Sequence, residues 1–300
     1  MATIIRVSGK LTDRTLPQLH PKTLFDTLDT LDRAYALRRL TGGYTGPLIG
    51  ARRASDGATL DVGTTAAGLL DVAALESFAA GGTAYVHTLY DQSPNGKHIT
   101  QPAAASQPRI CAAGKVVRQA GQPAISFDGT DDHLFDARPA LYAAGRATVA
   151  AVLSATPSAQ SRWYAESTSA QNGQYALLQP DGGNDEKRPL PFPVVQNVIA
   201  WQGIQPANVP LFDGLPHQAT STDTGSSISQ WIDGAVSLNH SYSRQSDYPQ
   251  LNRFTLGGVL RSGSLASVPL TFSEAVFLRS AVTAATRAAV EADQRATYNL

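Results

Sequence analysis

Apolar and polar positions fall in short runs along most of this chain, separated by glycine, proline and clustered acids. Thr148 to Leu153 is a nearly continuous β-prone apolar run, the form expected of a strand buried on both faces. Ala124-Ile-Ser-Phe127 leads into Asp128-Gly-Thr-Asp-Asp132, a turn of acids and glycine. Further strands are predicted at Ser227 to Ile232, Phe254 to Leu256 and Leu270 to Leu278, with Asp233-Gly234 as a hairpin turn. Ser55-Asp-Gly57 reads as a tight turn between two short strands. Residues 180–193 carry four prolines and a Gly-Gly-Asn-Asp-Glu-Lys-Arg cluster, and so read as a long exposed loop.

Three helices interrupt this pattern. Leu24, Leu28, Leu31 and Tyr35 stand at i, i+4, i+7 and i+11, which predicts a helix over 23–40 stopped by Gly42-Gly43. A second is predicted over 71–80, with Leu75 and Phe78 inward, and a third over 284–298, with Thr283 as N-cap. The fold class is therefore mainly β with a few short helices. Residues 1–20, a short β-prone run and a polar stretch, are too few to hold a core and read either as an edge strand added to the main sheet or as an N-terminal arm or attachment segment. Residues 21–300 read as the folded domain.

Composition narrows the setting. Apolar residues make up 42% and charged residues 16% of 300 residues, with 25 Gly and 18 Pro, which suits a turn-rich β protein rather than a disordered chain. Formal net charge is zero with no basic block, so no nucleic-acid partner is expected. No window approaches ~18 apolar residues, so no membrane span is expected. Cys111 is the single cysteine, which excludes an intrachain disulfide and points to folding in a reducing cytoplasm. The first residues lack the charged and apolar stretches of a signal peptide.

Several strings are specific. Ala34-Tyr-Ala-Leu-Arg-Arg-Leu, Tyr44-Thr-Gly-Pro, Arg52-Arg-Ala-Ser-Asp-Gly-Ala-Thr59 and Tyr90-Asp-Gln-Ser-Pro-Asn-Gly-Lys-His-Ile-Thr-Gln101 follow one another in the first third. Together this segment resembles the N-terminal part of the arabinofuranosidase B catalytic domain, a glycoside hydrolase on a concanavalin A-like jelly-roll β-sandwich. Phe127-Asp-Gly-Thr-Asp-Asp-His-Leu134, Gln230-Trp-Ile-Asp-Gly234 and Phe254-Thr-Leu-Gly-Gly258 are similar to segments of laminin-G-like lectin domains. The resemblance implies that fold over residues 23–300.

It also implies where catalytic groups belong. A retaining glycosidase needs two carboxyl groups ~5 Å apart, one a nucleophile and one an acid/base. The resemblance places Ala176 where the family has its nucleophilic Glu, and Val259 where it has its acid/base Asp. Glu166, beside Trp163 and Tyr164, is the best substitute, with Asp213 or Asp223 as partner. Asp91, in the Tyr-Asp-Gln-Ser motif, reads as a residue holding a turn by side-chain hydrogen bonds. The six histidines show no zinc-site spacing, and no phosphate loop or nucleophile elbow occurs, so no cofactor is implied. Asp128, Asp131 and Asp132 suit either a Ca²⁺ site or a hydrogen-bonded turn. Because sugars stack on aromatic rings, Trp163, Tyr164, Tyr175, Trp201, Tyr242 and Tyr248 are the candidate glycan-binding residues.

With both family carboxylates replaced, the expectation is a non-catalytic bacteriophage virion protein: a tail-fibre, receptor-binding or capsid-decoration module. It would be located on the virion, held to other virion proteins through residues 1–20, and form a homo-oligomer or part of a larger assembly that binds host-surface glycans. The alternatives are an active glycoside hydrolase of the arabinofuranosidase type and a bacterial lectin module.

Overall fold

The computed structural model describes residues 22–156, 162–180, 189–194, 209–244 and 251–300. Its longer strands in the first third are β1 (Leu31–Ala36), β2 (Ile49–Arg53), β3 (Thr59–Val62) and β4 (Ala84–Leu89). Then come β5 (Ala147–Ala155), β6 (Tyr164–Ser167), β7 (Gln174–Pro180) and β8 (His217–Asp223). The last are β9 (Ser227–Ile232), β10 (Ala235–Ser241), β11 (Arg253–Leu256) and β12 (Pro269–Leu278). Helix α1 is Val72–Ala79 and α2 is Ala284–Tyr298.

Two antiparallel layers result. One runs β1–β12–β5–β8–β9–β10. The other runs β3–β2–β4, crosses through Ile99–Thr100 and Leu134–Asp136, and continues as β11–β6–β7 and Pro189–Val194. Aromatics from both layers meet between them: Phe277 of β12 lies 5.1 Å from Tyr164 of β6 and 5.1 Å from Phe254 of β11, ring centre to ring centre. The expected mainly-β sandwich is what the chain forms.

Side-chain alternation explains the long apolar runs. In β12, Ala275 and Phe277 face the space between the layers, while Val276 and Leu278 face outward beneath Val290 of α2. β5 does the same, with Val149, Ala151 and Leu153 inward and Ala150 outward. Helix α2 is also tied down by charge. Arg38 Nε donates to Glu274 Oε2 at 2.7 Å, and the same guanidinium bonds Asp293 of the helix.

The predicted helix over 23–40 is corrected. Only Leu24–Thr27 forms a 3-10 turn, and β1 follows. All six β1 residues are buried, because one face meets the inter-layer core and the other the layer under α2. Leu31 and Tyr35, which would share a helix face, go to opposite sides: Leu31 packs under α2 and Tyr35 between the layers. Helical spacing here is thus a by-product of a strand buried on both faces. The other two helices form as expected, capped by Asp71 accepting from Ala74 N at 3.0 Å and Thr283 accepting from Thr286 N at 3.2 Å. The Asp233-Gly234 turn has positive φ at both residues, 50° and 83°, as a two-residue hairpin joining β9 and β10 requires.

The exposed-loop expectation for 180–193 is also corrected in part. Pro189–Val194 pairs antiparallel with β7. Its prolines stand at alternate positions, so all three missing N–H donors fall on one edge and the other edge stays free for the ladder. Residues 1–20, Trp201 and Tyr248 lie outside the described residues.

The Tyr90-Asp-Gln-Ser motif lies along the edge of β1 opposite β12. Asp91 Oδ1 accepts from Ala34 N at 2.9 Å, Gln92 N donates to Ala34 O at 2.9 Å, and Gln92 Oε1 accepts from Leu40 N at 2.7 Å. Asn95 Nδ2 donates to Leu31 O at 2.8 Å and Asp32 O at 3.1 Å. This goes beyond the expected turn, since the motif takes the place of a neighbouring strand.

Candidate functional site

A cluster of charged and aromatic side chains links β6, β7 and β8 to the segments around Tyr142 and Tyr242. Asp223, the last residue of β8, is fully buried. Its carboxylate accepts from Tyr175 at 2.8 Å, from Tyr242 at 2.8 and 2.9 Å, from Arg244 at 3.2 Å and from Gly225 N at 2.7 Å. The Arg244 guanidinium lies 4.1 Å over the Tyr142 ring, and that ring meets Tyr175 edge-on at 5.3 Å. Glu166 of β6 closes the cluster from the other side. Its Oε1 accepts from Ala140 N at 2.6 Å and Leu141 N at 2.9 Å, and its Oε2 from Tyr142 N at 2.9 Å.

Electrostatics follow from this packing. Burial raises the Glu166 carboxyl above the usual range, and the three backbone donors oppose it. Burial and the neighbouring Asp223 push the Tyr175 hydroxyl well above its ordinary value, so it stays a donor. Tyr242 is raised for the same reasons. One carboxylate is therefore held by two phenols and a guanidinium, another by main-chain donors, and the Tyr142–Tyr175 pair touches both.

Positions 176 and 259, where the sequence resemblance leads one to expect carboxyl groups, lie close together. Ala176 and Val259 pack with Ala165 in one small buried apolar cluster.

The other candidates are dispersed. Trp163 and Tyr164 are fully buried in the inter-layer core, and Trp163 Nε1 donates to Leu178 O at 2.5 Å. They present no ring face to a ligand. Tyr175 is buried and Tyr242 half-buried, both on Asp223. Asp213 is not at this cluster: it accepts from His217 Nε2 at 3.0 Å, while His217 Nδ1 bonds Asp233 at 2.7 Å. The ligand atoms of Asp128, Asp131 and Asp132 lie within 4.8 Å of one another. They are engaged in the turn, with Asp128 Oδ1 accepting from Thr130 N at 2.7 Å and Asp132 Oδ2 from Asp128 N at 2.9 Å. Arg244 and Tyr142 were missed from the sequence. Nothing in their polar surroundings distinguishes them until the chain brings them onto Asp223.

Comparison with known proteins bears on this geometry. Residues 33–135 match the family model of the alpha-L-arabinofuranosidase B catalytic domain. An alpha-L-arabinofuranosidase of Hypocrea jecorina is 38% identical over 94 residues, 31% of this chain and 19% of that one. A probable alpha-L-arabinofuranosidase B of Aspergillus terreus is 46% identical over 65 residues, 21% of this chain and 13% of that one. The chain therefore matches about a fifth or less of the length of these relatives. In overall fold it is similar to a GH54 arabinofuranosidase mutant soaked with 4-nitrophenyl α-L-arabinofuranoside, with TM-score 0.68, 19% identity, and coverage of 90% of this chain and 63% of that one.

These arabinofuranosidase matches correct the expected role. The named relatives are fungal arabinofuranosidases and none is a virion component, so the non-catalytic virion module, its tail-fibre or capsid-decoration role and its virion location are overturned. What the matches favour is the glycoside-hydrolase alternative.

Proposed function

We propose that this chain is a glycoside hydrolase domain of the arabinofuranosidase type, releasing α-L-arabinofuranosyl groups. The match of residues 33–135 to the catalytic-domain family carries this reading. Since positions 176 and 259 supply no carboxyl group, the acid pair is assigned to Glu166, which accepts from Tyr142 N, and Asp223, which accepts from the Tyr175 hydroxyl. Glu166, the carboxyl of the two that burial raises, is assigned the acid/base role. Asp223 suits the nucleophile or base. Both carboxyls are buried, so a substrate reaches them by displacing the half-buried Tyr242 and Arg244 side chains.

The test is release of 4-nitrophenol from 4-nitrophenyl α-L-arabinofuranoside. Turnover that falls by several orders of magnitude in Asp223→Asn supports the assignment. Turnover unchanged by that substitution overturns the pair, and no turnover across a panel of pentosides and hexosides overturns the hydrolase. A second reading, a lectin-type domain that binds glycan without cleaving it, is favoured by the apolar Ala165–Ala176–Val259 cluster. Glycan binding without turnover in the same panel would select it.

A further inference from the structure

A second polar cleft lies on the β3–β2–β4 part of the sandwich. It has a volume of about 520 Å³ and is lined by residues 45–47, Gly63 and Thr64, with Arg39 and Asp61 as its charged groups. That volume falls within the range of small-molecule sites. The cleft shares no residue with the Glu166–Asp223 cluster.

Its charges are arranged for use. Arg39 donates to Thr64 Oγ1 at 2.6 Å, and its Nε is buried without a hydrogen-bond partner. Asp61 is exposed and accepts one hydrogen bond, from Tyr90 at 2.8 Å. Among the described residues neither charge takes part in an ion pair, although both line the same cleft. Beside Asp61, His87 lies over Gly50. A methyl group on Gly50 would stand 2.5 Å from His87 Cε1, 2.7 Å from its Nε2 and 3.2 Å from Asp61 Oδ1. Glycine at position 50 is what lets the imidazole and the carboxylate come together there. His87 Nε2 is buried and also lacks a partner.

A guanidinium and a carboxylate facing one cleft select a class of ligand. An anion is repelled by Asp61 and a cation by Arg39. A hydroxyl both donates and accepts, so adjacent hydroxyls bridge the two, giving hydrogens to Asp61 and taking them from Arg39. We propose that the Arg39–Asp61 cleft is a binding site for a neutral polyhydroxylated ligand, a single glycosyl unit, separate from the proposed reaction centre. The choice of a pentofuranoside as probe rests on the proposed activity; the class of ligand rests on the cleft.

The experiment is a titration of the full ¹⁵N-labelled chain with methyl α-L-arabinofuranoside and a panel of neutral methyl hexosides, followed at the amides of Gly46, Gly63 and Thr64. Saturable shifts at these amides are expected. Asp61→Asn, which keeps an acceptor for Tyr90, and Arg39→Gln should each weaken binding by about tenfold, with amide dispersion elsewhere retained. Absence of shifts with every neutral glycoside overturns the site. So does equal binding by both variants, or preference for inorganic phosphate or tetramethylammonium. Because binding is read without turnover, a chain that binds here but releases no 4-nitrophenol defeats only the hydrolase reading. One that hydrolyses with no shift at these amides defeats only this site.

Discussion

Replacing Glu166 with Gln tests the structure and the chemistry together, so its two effects need separating. In the native chain the carboxylate accepts three main-chain hydrogen bonds, from Ala140, Leu141 and Tyr142, at 2.6, 2.9 and 2.9 Å. A glutamine oxygen in place of Oε1 keeps the first two, now without charge assistance. The amide nitrogen then faces Tyr142 N–H, donor against donor. Hydrogen bonds to a charged group contribute about 1.5–3 kcal/mol, and a buried donor left without an acceptor costs about 1–3 kcal/mol. Removing a buried charge returns part of that. The net loss expected is about 2–3 kcal/mol, or a fall in melting temperature on the order of 5 °C for a chain of this size. Urea denaturation of wild type, Glu166→Gln and Glu166→Ala should rank them in that order of decreasing stability, since alanine accepts none of the three. A Gln variant within about 0.5 kcal/mol of wild type would show that Glu166 does not hold the Ala140–Tyr142 segment. Turnover should be compared only at a temperature where the variant is fully folded; there, unchanged turnover removes Glu166 from the reaction.

Three other outcomes follow from single positions. His217 is raised by its hydrogen bond to Asp233 and, less, by Asp213, with burial opposing. Its contribution is therefore full below about pH 6.5 and lost as pH rises through the folded-state value, so the melting-temperature gap between wild type and His217→Gln should shrink from about pH 6 to about pH 9. Asp132 is pushed up to about 7 by burial, with Asp128 and Asp131 adding to the rise. Its ionisation opposes folding as pH rises through that value, so Asp132→Asn should be the more stable protein above pH 7 and lose that advantage near pH 4, read by thermal unfolding against pH. Gly129 has φ +77° and a methyl there would stand 2.4 Å from Pro269 Cδ. Gly129→Ala should cost at least about 1–2 kcal/mol in urea titrations, and a silent substitution would refute the close approach of that turn to β12.

The fold was legible wherever one physical cause dominated. β5 and β12 announce themselves because burial on both faces forces unbroken apolar runs, and α2 because Thr283 caps a sequence with one polar face. β1 was misread for the same reason in reverse. Its charged Asp32 and Arg33 are buried and paired, with Arg33 Nη1 3.0 Å from Asp136 and Lys97 Nζ 2.7 Å from Asp32, so the local pattern concealed a core strand. The candidate site was half legible. Glu166, Tyr175, Asp223 and Tyr242 stood out as residue types, yet their meeting depends on strands far apart in sequence. Arg244 and Tyr142, which join them, carry no local signal. Trp163 and Tyr164 were legible as aromatics but not as interior ones, since strand alternation alone does not say which face is the core.

The Asp91–Asn95 segment has a bearing on self-association. An outer strand ordinarily presents a row of free donors and acceptors that can template pairing with another chain. β1 does not, because Asp91, Gln92 and Asn95 occupy Ala34 N, Ala34 O, Leu31 O and Asp32 O. These groups act as a plug that a second chain would have to extract before it could add a strand, and extraction would strand buried polar groups. Among the described residues β10 pairs only with β9, and its Val236 is 58% exposed. If copies of this chain join through this layer edge to edge, the vulnerable rim is therefore β10, while β1 is sealed by its own sequence.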